Sequence, residues 1–218
     1  RQMLPEVLMS LFDKLVNKDE LKKKLTDMDR EVKEIDPVEM AEFLNKRVIG
    51  QEEVVEQIAK TVASRMARKR KGKPVLTLLI SGPTGTGKTE LAKAVAEYLF
   101  GDEDSMERID VGNLGSHGVS SIVGSPKGYA GRDEWGSLTK HLRTTPETLI
   151  LFDEVEKAGK DPSAELYLVL LALLDEGRVT ERSCSQTVDA TDAIIMMTSN
   201  ANQKELAELA ERYKDDRD

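Results

Sequence analysis

Ser81-Gly82-Pro83-Thr84-Gly85-Thr86-Gly87-Lys88-Thr89 sets three glycines ahead of a lysine and a hydroxyl residue. The spacing G-x-x-x-x-G-K-[ST] brings bare backbone, a cation and a hydroxyl to one point, and a magnesium-bound triphosphate is the ligand that needs all three. Gly82, Gly85 and Gly87 lack a Cβ and can take positive φ, so successive N–H groups can turn inward toward an anion. A helix starting directly after the loop adds its unpaired N–H groups and the positive end of its dipole. Lys88 supplies a point charge for the β- and γ-phosphates, and the Thr89 hydroxyl is placed to ligand Mg²⁺. Pro83, Thr84 and Thr86 complete the cradle.

The elements that must hold this loop are written around it. Val75 to Ile80 is a continuous apolar run of strand length, the pattern of a strand buried on both faces of a parallel sheet. Glu90 to Leu99 carries apolar residues at helical spacing, with Gly101 as a stop. Thr148-Leu149-Ile150-Leu151-Phe152-Asp153-Glu154 is a second apolar strand, ending in two adjacent carboxylates. At the end of a neighbouring strand one carboxylate reaches the Mg²⁺ shell, a role that suits Asp153, and a second polarises the attacking water, which suits Glu154. Asp192 to Asn200 is a further buried strand with a polar tip, and Glu107 to Val111 a short one. Open α/β sheets bind ligands at the carboxyl ends of their strands, which would bring the Asn200 amide to the γ-phosphate to orient water. Capping a helix from about Gln203 to Tyr213 is its other use. The pattern predicts an α/β P-loop domain, a mainly parallel sheet flanked by helices, that binds Mg-ATP and hydrolyses it with Lys88, Glu154 and Asn200.

The whole chain of 218 residues is acidic, with net charge −8 and one residue in three charged, which disfavours a general polyanion-binding surface. A single cysteine, Cys184, excludes an intrachain disulfide and fits a reducing compartment. No apolar run approaches a membrane span and no signal-peptide pattern opens the chain, so a cytoplasmic protein is expected. Residues 1–36 read as a helical extension, with helices from about Pro5 to Val16 and Glu20 to Ile35. Residues 37–218 read as the nucleotide-binding domain. Asp36-Pro37-Val38-Glu39 starts a short helix with a capping box. The helix after Gln51 carries Val54, Val55, Ile58, Ala59, Val62 and Met66 on its apolar side and ends in cations from Arg65 to Lys73. These cations suit the negative end of the helix dipole better than a nucleic-acid patch, given the acidic whole. Gly112 to Gly136 is too long for a simple connector and holds Gly128-Tyr129-Ala130-Gly131, where Tyr129 either projects or folds back as a plug. Helices follow from Leu138 to Arg143 and Pro162 to Leu174, then Asp175 to Thr180 turns into a polar loop.

Arg47-Val48-Ile49-Gly50-Gln51, Gly82 to Lys93, Gly128 to Gly131, Leu149 to Ala158, Asp175 to Thr180, Thr187-Val188-Asp189 and Met197 to Asn200 together resemble the Clp-type AAA+ ATPases, and within them the second ATPase module of the protein-unfolding machines. The resemblance covers about residues 45–202. It implies that Val48 and Ile49 border the adenine, that Asp153 and Glu154 are the Walker B pair, and that Asn200 is sensor 1. It also implies that Tyr129 is the pore-loop aromatic gripping a polypeptide substrate inside a ring, a hexamer, with a protease or adaptor as further partner. Two departures stand out: Glu181 to Gln186 lacks the usual glycine-containing pattern, and Gly159 replaces a histidine. The family's arginine finger, fifth core strand, helical lid and sensor 2 arginine fall beyond Asp218, so an incomplete module with weak turnover of its own is expected. Other functions compatible with the residues are an ATP-dependent switch or assembly scaffold, and a DNA-remodelling ATPase.

Overall fold

The computed structural model describes residues 35–68, 72–114, 118–126, 134–160 and 165–201. The chain divides into two units, residues 1–34 and 35–218, and every described residue belongs to the second. The two helices expected before residue 35, the helix expected from Gln203, and Tyr129 lie outside the described residues.

Four strands form one parallel sheet: β1 (Leu76–Ser81), β2 (Met106–Asp110), β3 (Leu149–Asp153) and β6 (Ile194–Ser199), in the spatial order β1-β6-β3-β2. β6 is inserted between β1 and β3, in register Ile80 to Thr198 on one side and Phe152 to Met197 on the other. All four strands therefore end at the same edge, where the phosphate loop, Asp110, Asp153 and Asn200 follow. The remaining strands, β4 (Arg178–Glu181) and β5 (Gln186–Asp189), pair antiparallel as a separate hairpin. A polar loop was expected there. Inward positions Val179, Glu181 and Val188 are buried and alternate with exposed ones, the period-two pattern of a half-covered strand.

Side-chain alternation divides the central strands between two cores. Leu149 and Leu151 of β3 and Ile194 and Met196 of β6 pack with α1 (Pro37–Asn45), α2 (Glu52–Met66) and α3 (Lys88–Phe100). Ile150, Phe152 and Ile195 face the opposite way, onto α5 (Ser137–Thr144), α6 (Glu165–Glu176) and the hairpin. Near-continuous apolar strands follow from a sheet covered on both faces. β1 departs from that expectation. Among the described residues it pairs only with β6, and Leu79 is 61% exposed, so one face of this edge strand is largely uncovered.

Local signals set the helix ends. Asp36 caps α1, its Oδ1 accepting from the Val38 N–H at 2.8 Å, and Pro37 occupies the first helical position. In α2, Val55, Ile58, Ala59 and Val62 are buried while Val54 is 40% exposed. Arg65 lies in its last turn, and Lys73 pairs with Asp175 at 3.5 Å. The segment expected as one long loop contains a 3-10 turn (Val111–Asn113) and the short helix α4 (Ser120–Val123).

Phe152 is completely buried on the central strand. Phe152→Ala should cost about 3–5 kcal/mol, read as a lower urea midpoint at unchanged m-value.

Candidate functional site

Gly85 and Gly87 both take φ +83°, which only glycine reaches without strain, and α3 starts directly after Gly87 with no side-chain cap. Its first N–H groups consequently face the loop rather than a capping oxygen. Gly82 N–H donates to Ser199 O at 3.2 Å, tying the loop's first glycine to the residue before Asn200. The Lys88 ammonium lies back over the loop, donating to Gly82 O at 2.8 Å and Pro83 O at 2.7 Å. Thr86 Oγ1 donates to Pro83 O at 2.9 Å. Beside the loop is a cleft lined by Val48, Gln51, Val54, Ile80, Ser81, Gly82, Pro83, Thr86, Gly87, Lys88 and Leu91. Val48 is buried and lines this cleft. Ile49 is not among the lining residues, and its side chain is 86% exposed. Arg47 anchors this segment by donating to Glu90 (2.7 Å), Glu97 and Glu103 (3.0 Å), two of them on α3.

Across the sheet edge the acidic residues converge. Asp153 Oδ2 receives the Thr89 hydroxyl at 3.4 Å and both Nε and Nη2 of Arg108, at 3.1 and 2.6 Å. Thr198 Oγ1 donates to Asp153 Oδ1 and accepts the Glu154 N–H at 3.1 Å. Burial pushes the Asp153 carboxyl up, but the hydrogen bonds from Thr198 and Arg108, the Arg108 charge and the Thr89 hydroxyl outweigh it and hold the group below the usual carboxylate value. Glu154 takes φ +60°, a conformation that costs a residue with a Cβ on the order of 1 kcal/mol. Its side chain is held on both oxygens, Oε1 by Asn200 Nδ2 at 3.0 Å and Oε2 by the Lys157 ammonium. Each oxygen keeps a second lone pair for a water proton. Asn200 N–H donates to Glu156 Oε1 at 3.1 Å. Asn200 Oδ1 and Glu156 Oε2 are buried without a partner among the described residues.

This donor set fits a magnesium-bound nucleotide. Among the described residues no three His, Cys, Asp or Glu side chains group to cage a metal by themselves. Mg²⁺ does not require such a cage, since it commonly binds one or two protein oxygens and completes its shell with phosphates and water.

A profile of the AAA domain (Cdc48 subfamily) matches residues 73–218. The chain belongs to the AAA family. It is 44% identical over 168 residues to the chaperone protein ClpB of Gloeobacter violaceus, covering 76% of this chain and 19% of that protein. It is 46% identical over 169 residues to the Bacillus subtilis negative regulator of genetic competence ClpC/MecB, covering 77% and 20%. The ATP-dependent Clp protease ATP-binding subunit ClpC of Staphylococcus aureus is 44% identical over 169 residues, again 77% and 20%. The chain therefore spans about a fifth of the length of these relatives, and it is a Clp-type AAA+ ATPase module.

Arg108, Lys157, Glu156 and Thr198 were not among the expected site residues. Only Thr198 left a trace in the sequence, as the first polar residue after the apolar run of β6. Because the folded pKa of Asp153 is depressed, its carboxylate contributes stability above about pH 3.9, and that contribution is lost as pH falls through the lower folded value. Thr198→Val, which removes one hydrogen bond to the ionised form, should raise the Asp153 pKa in a carbon-detected titration and lessen the stability lost on acidification.

Proposed function

We propose that this module binds Mg-ATP in the cleft beside the phosphate loop and hydrolyses it as part of a ring-forming motor that remodels or unfolds polypeptides. The observation that carries the reading is that the start of α3 and the ends of β3 and β6 bring Thr89, Asp153, Glu154 and Asn200 into one hydrogen-bonded chain, Thr89 to Asp153, Asn200 to Glu154, with Thr198 linking the two carboxylate residues. Two similar proteins, by their names a chaperone and the ATP-binding subunit of a Clp protease, support the motor class.

Gly82, Pro83, Thr84, Gly85, Thr86 and Gly87 would cradle the phosphates with backbone N–H groups, and Val48 would border the base. Thr89 and Asp153 would hold Mg²⁺, which when bound offsets charge on the phosphate oxygens. Lys88 has to leave the carbonyls of Gly82 and Pro83 to face the γ-phosphate, exchanging two neutral acceptors for an anion. Glu154 accepts the proton of the attacking water on the free lone pair of an oxygen. Asn200 would orient that water through Oδ1, which is buried without a partner among the described residues, while its amide nitrogen steadies Glu154.

Arg178 and Arg182 are paired within the chain, with Glu176 at 2.7 Å and Glu165 at 2.8 Å. An arginine supplied across a subunit boundary is worth roughly 10³–10⁵ in related phosphoryl transfer, so the module alone turns over slowly. Ring formation, most simply a hexamer, a polypeptide gripped by Tyr129, a protease or adaptor partner and a cytoplasmic location complete the proposal. Nucleic acid and membrane are not among the partners.

Glu154→Gln should lower ATP turnover by about 10²–10⁴ while leaving Mg-ATP affinity nearly unchanged. A variant that hydrolyses ATP like the parent would remove Glu154 from the reaction.

A further inference from the structure

Glu181, the last residue of β4, is completely buried, and its role is not accounted for by nucleotide chemistry. Its Oε2 accepts the Gly136 N–H at 3.0 Å and the hydroxyl of buried Thr139, and Oε1 accepts the Ser183 N–H at 3.0 Å. Burial pushes this carboxyl up, but hydrogen bonds from Ser183, Thr139 and Gly136 outweigh it and hold the group below its ordinary value. A buried carboxylate supplied with that many donors is a fixed anchor, because losing any donor leaves charge desolvated.

What it anchors is the base of the segment that bears Tyr129. Gly124 ends α4 with φ 78° and ψ 164°, a conformation essentially restricted to glycine. A Cβ there would lie 1.7 Å from Glu181 Oε1. At the other end Gly136 begins α5, and a Cβ on it would lie 2.4 Å from Gly124 N and 2.2 Å from the Ile122 carbonyl. The two ends therefore touch each other, with the Glu181 carboxylate against both. Arg182 N–H adds a 2.8 Å hydrogen bond to Val123 O, fastening the hairpin to the same place.

We infer that Glu181 is a positioning residue: its buried carboxylate closes the base of the 124–136 segment and fixes both ends to the β4–β5 hairpin. The described ends of the segment, at Gly124 and Gly136, and the hairpin then share one mount. Its bearing on Tyr129 rests on the polypeptide-gripping role proposed above.

Hydrogen exchange on the full 218-residue chain tests the clamp directly. Glu181→Gln replaces an acceptor with an amide that cannot accept from three donors at once. Exchange in residues 118–126 and 134–140 should accelerate together by about tenfold or more, with residues 82–100 and Mg-ATP affinity unchanged. Should that variant fail to fold, Thr139→Val is isosteric, lacks only the hydroxyl, and carries the same expectation at smaller size. Unchanged exchange, or acceleration at one end alone, overturns the clamp. A second readout is binding of a permanently unfolded probe, reduced and carboxymethylated α-lactalbumin. If Tyr129→Ala abolishes probe binding, a loosened Glu181 variant should weaken it severalfold, and full binding by that variant contradicts the positioning role. If Tyr129→Ala leaves binding intact while both ends loosen, the clamp stands and the gripping role fails.

Discussion

One hydroxyl, that of Thr198, holds the candidate site together. It donates to Asp153 and accepts from the Glu154 N–H, so one buried residue at the tip of β6 ties together both carboxylate residues at the tip of β3. The left-handed backbone at Glu154 is tolerable because the residue is held at its N–H by Thr198 and at its carboxylate by Asn200 and Lys157. Without that bracing the strand would relax out of a conformation that costs a Cβ-bearing residue free energy, and the two carboxylates would lose their fixed relation. The acidic pair is in this sense a product of the neighbouring strand as much as of its own.

The sheet order makes this possible. Inserting β6 between β1 and β3 puts Ser199 beside the first glycine of the phosphate loop and Thr198 beside Asp153. Loop, carboxylates and amide thereby share one edge, where strand carbonyl ends and a helix N-terminus meet. Cations balance the acids at close range: Arg108 on Asp153, Lys157 on Glu154, and Arg47 on the acidic side of α3. The opposite core, under α5, α6 and the hairpin, carries its own buried charge in Glu181, neutralised by dipoles instead of a cation. One charged site is thus mounted on the sheet edge and another against Gly124 and Gly136.

The parts of this arrangement written locally were legible in the sequence. The glycine spacing of the loop, the apolar runs of β1, β3 and β6, and the Asp36-Pro37 start of α1 each depend on residues a few positions apart. The neighbouring carboxylates Asp153 and Glu154 were legible for the same reason. What was not legible depends on pairing between distant segments. Arg108 looks like an ordinary surface residue of a short strand until β2 and β3 pair with Asp110 opposite Asp153. Glu181 reads as part of a polar turn, because nothing in Arg182 to Ser185 marks a hairpin and two of its three donors, Gly136 and Thr139, come from more than 40 residues upstream. Leu79 reads as buried, since an apolar run does not say that its strand lies at an edge. Ile49 reads like Val48, yet the turn after α1 buries one and exposes the other.

The central claim is that the edge shared by the loop, Asp153 and Glu154 is a site for magnesium-bound nucleotide. The most direct measurement is calorimetric ATP affinity with and without Mg²⁺, in the parent chain and in Asp153→Asn. The account predicts that Mg²⁺ strengthens binding to the parent chain and that this gain disappears in the variant, with magnesium-free affinity little changed. A gain of equal size in both proteins would contradict it.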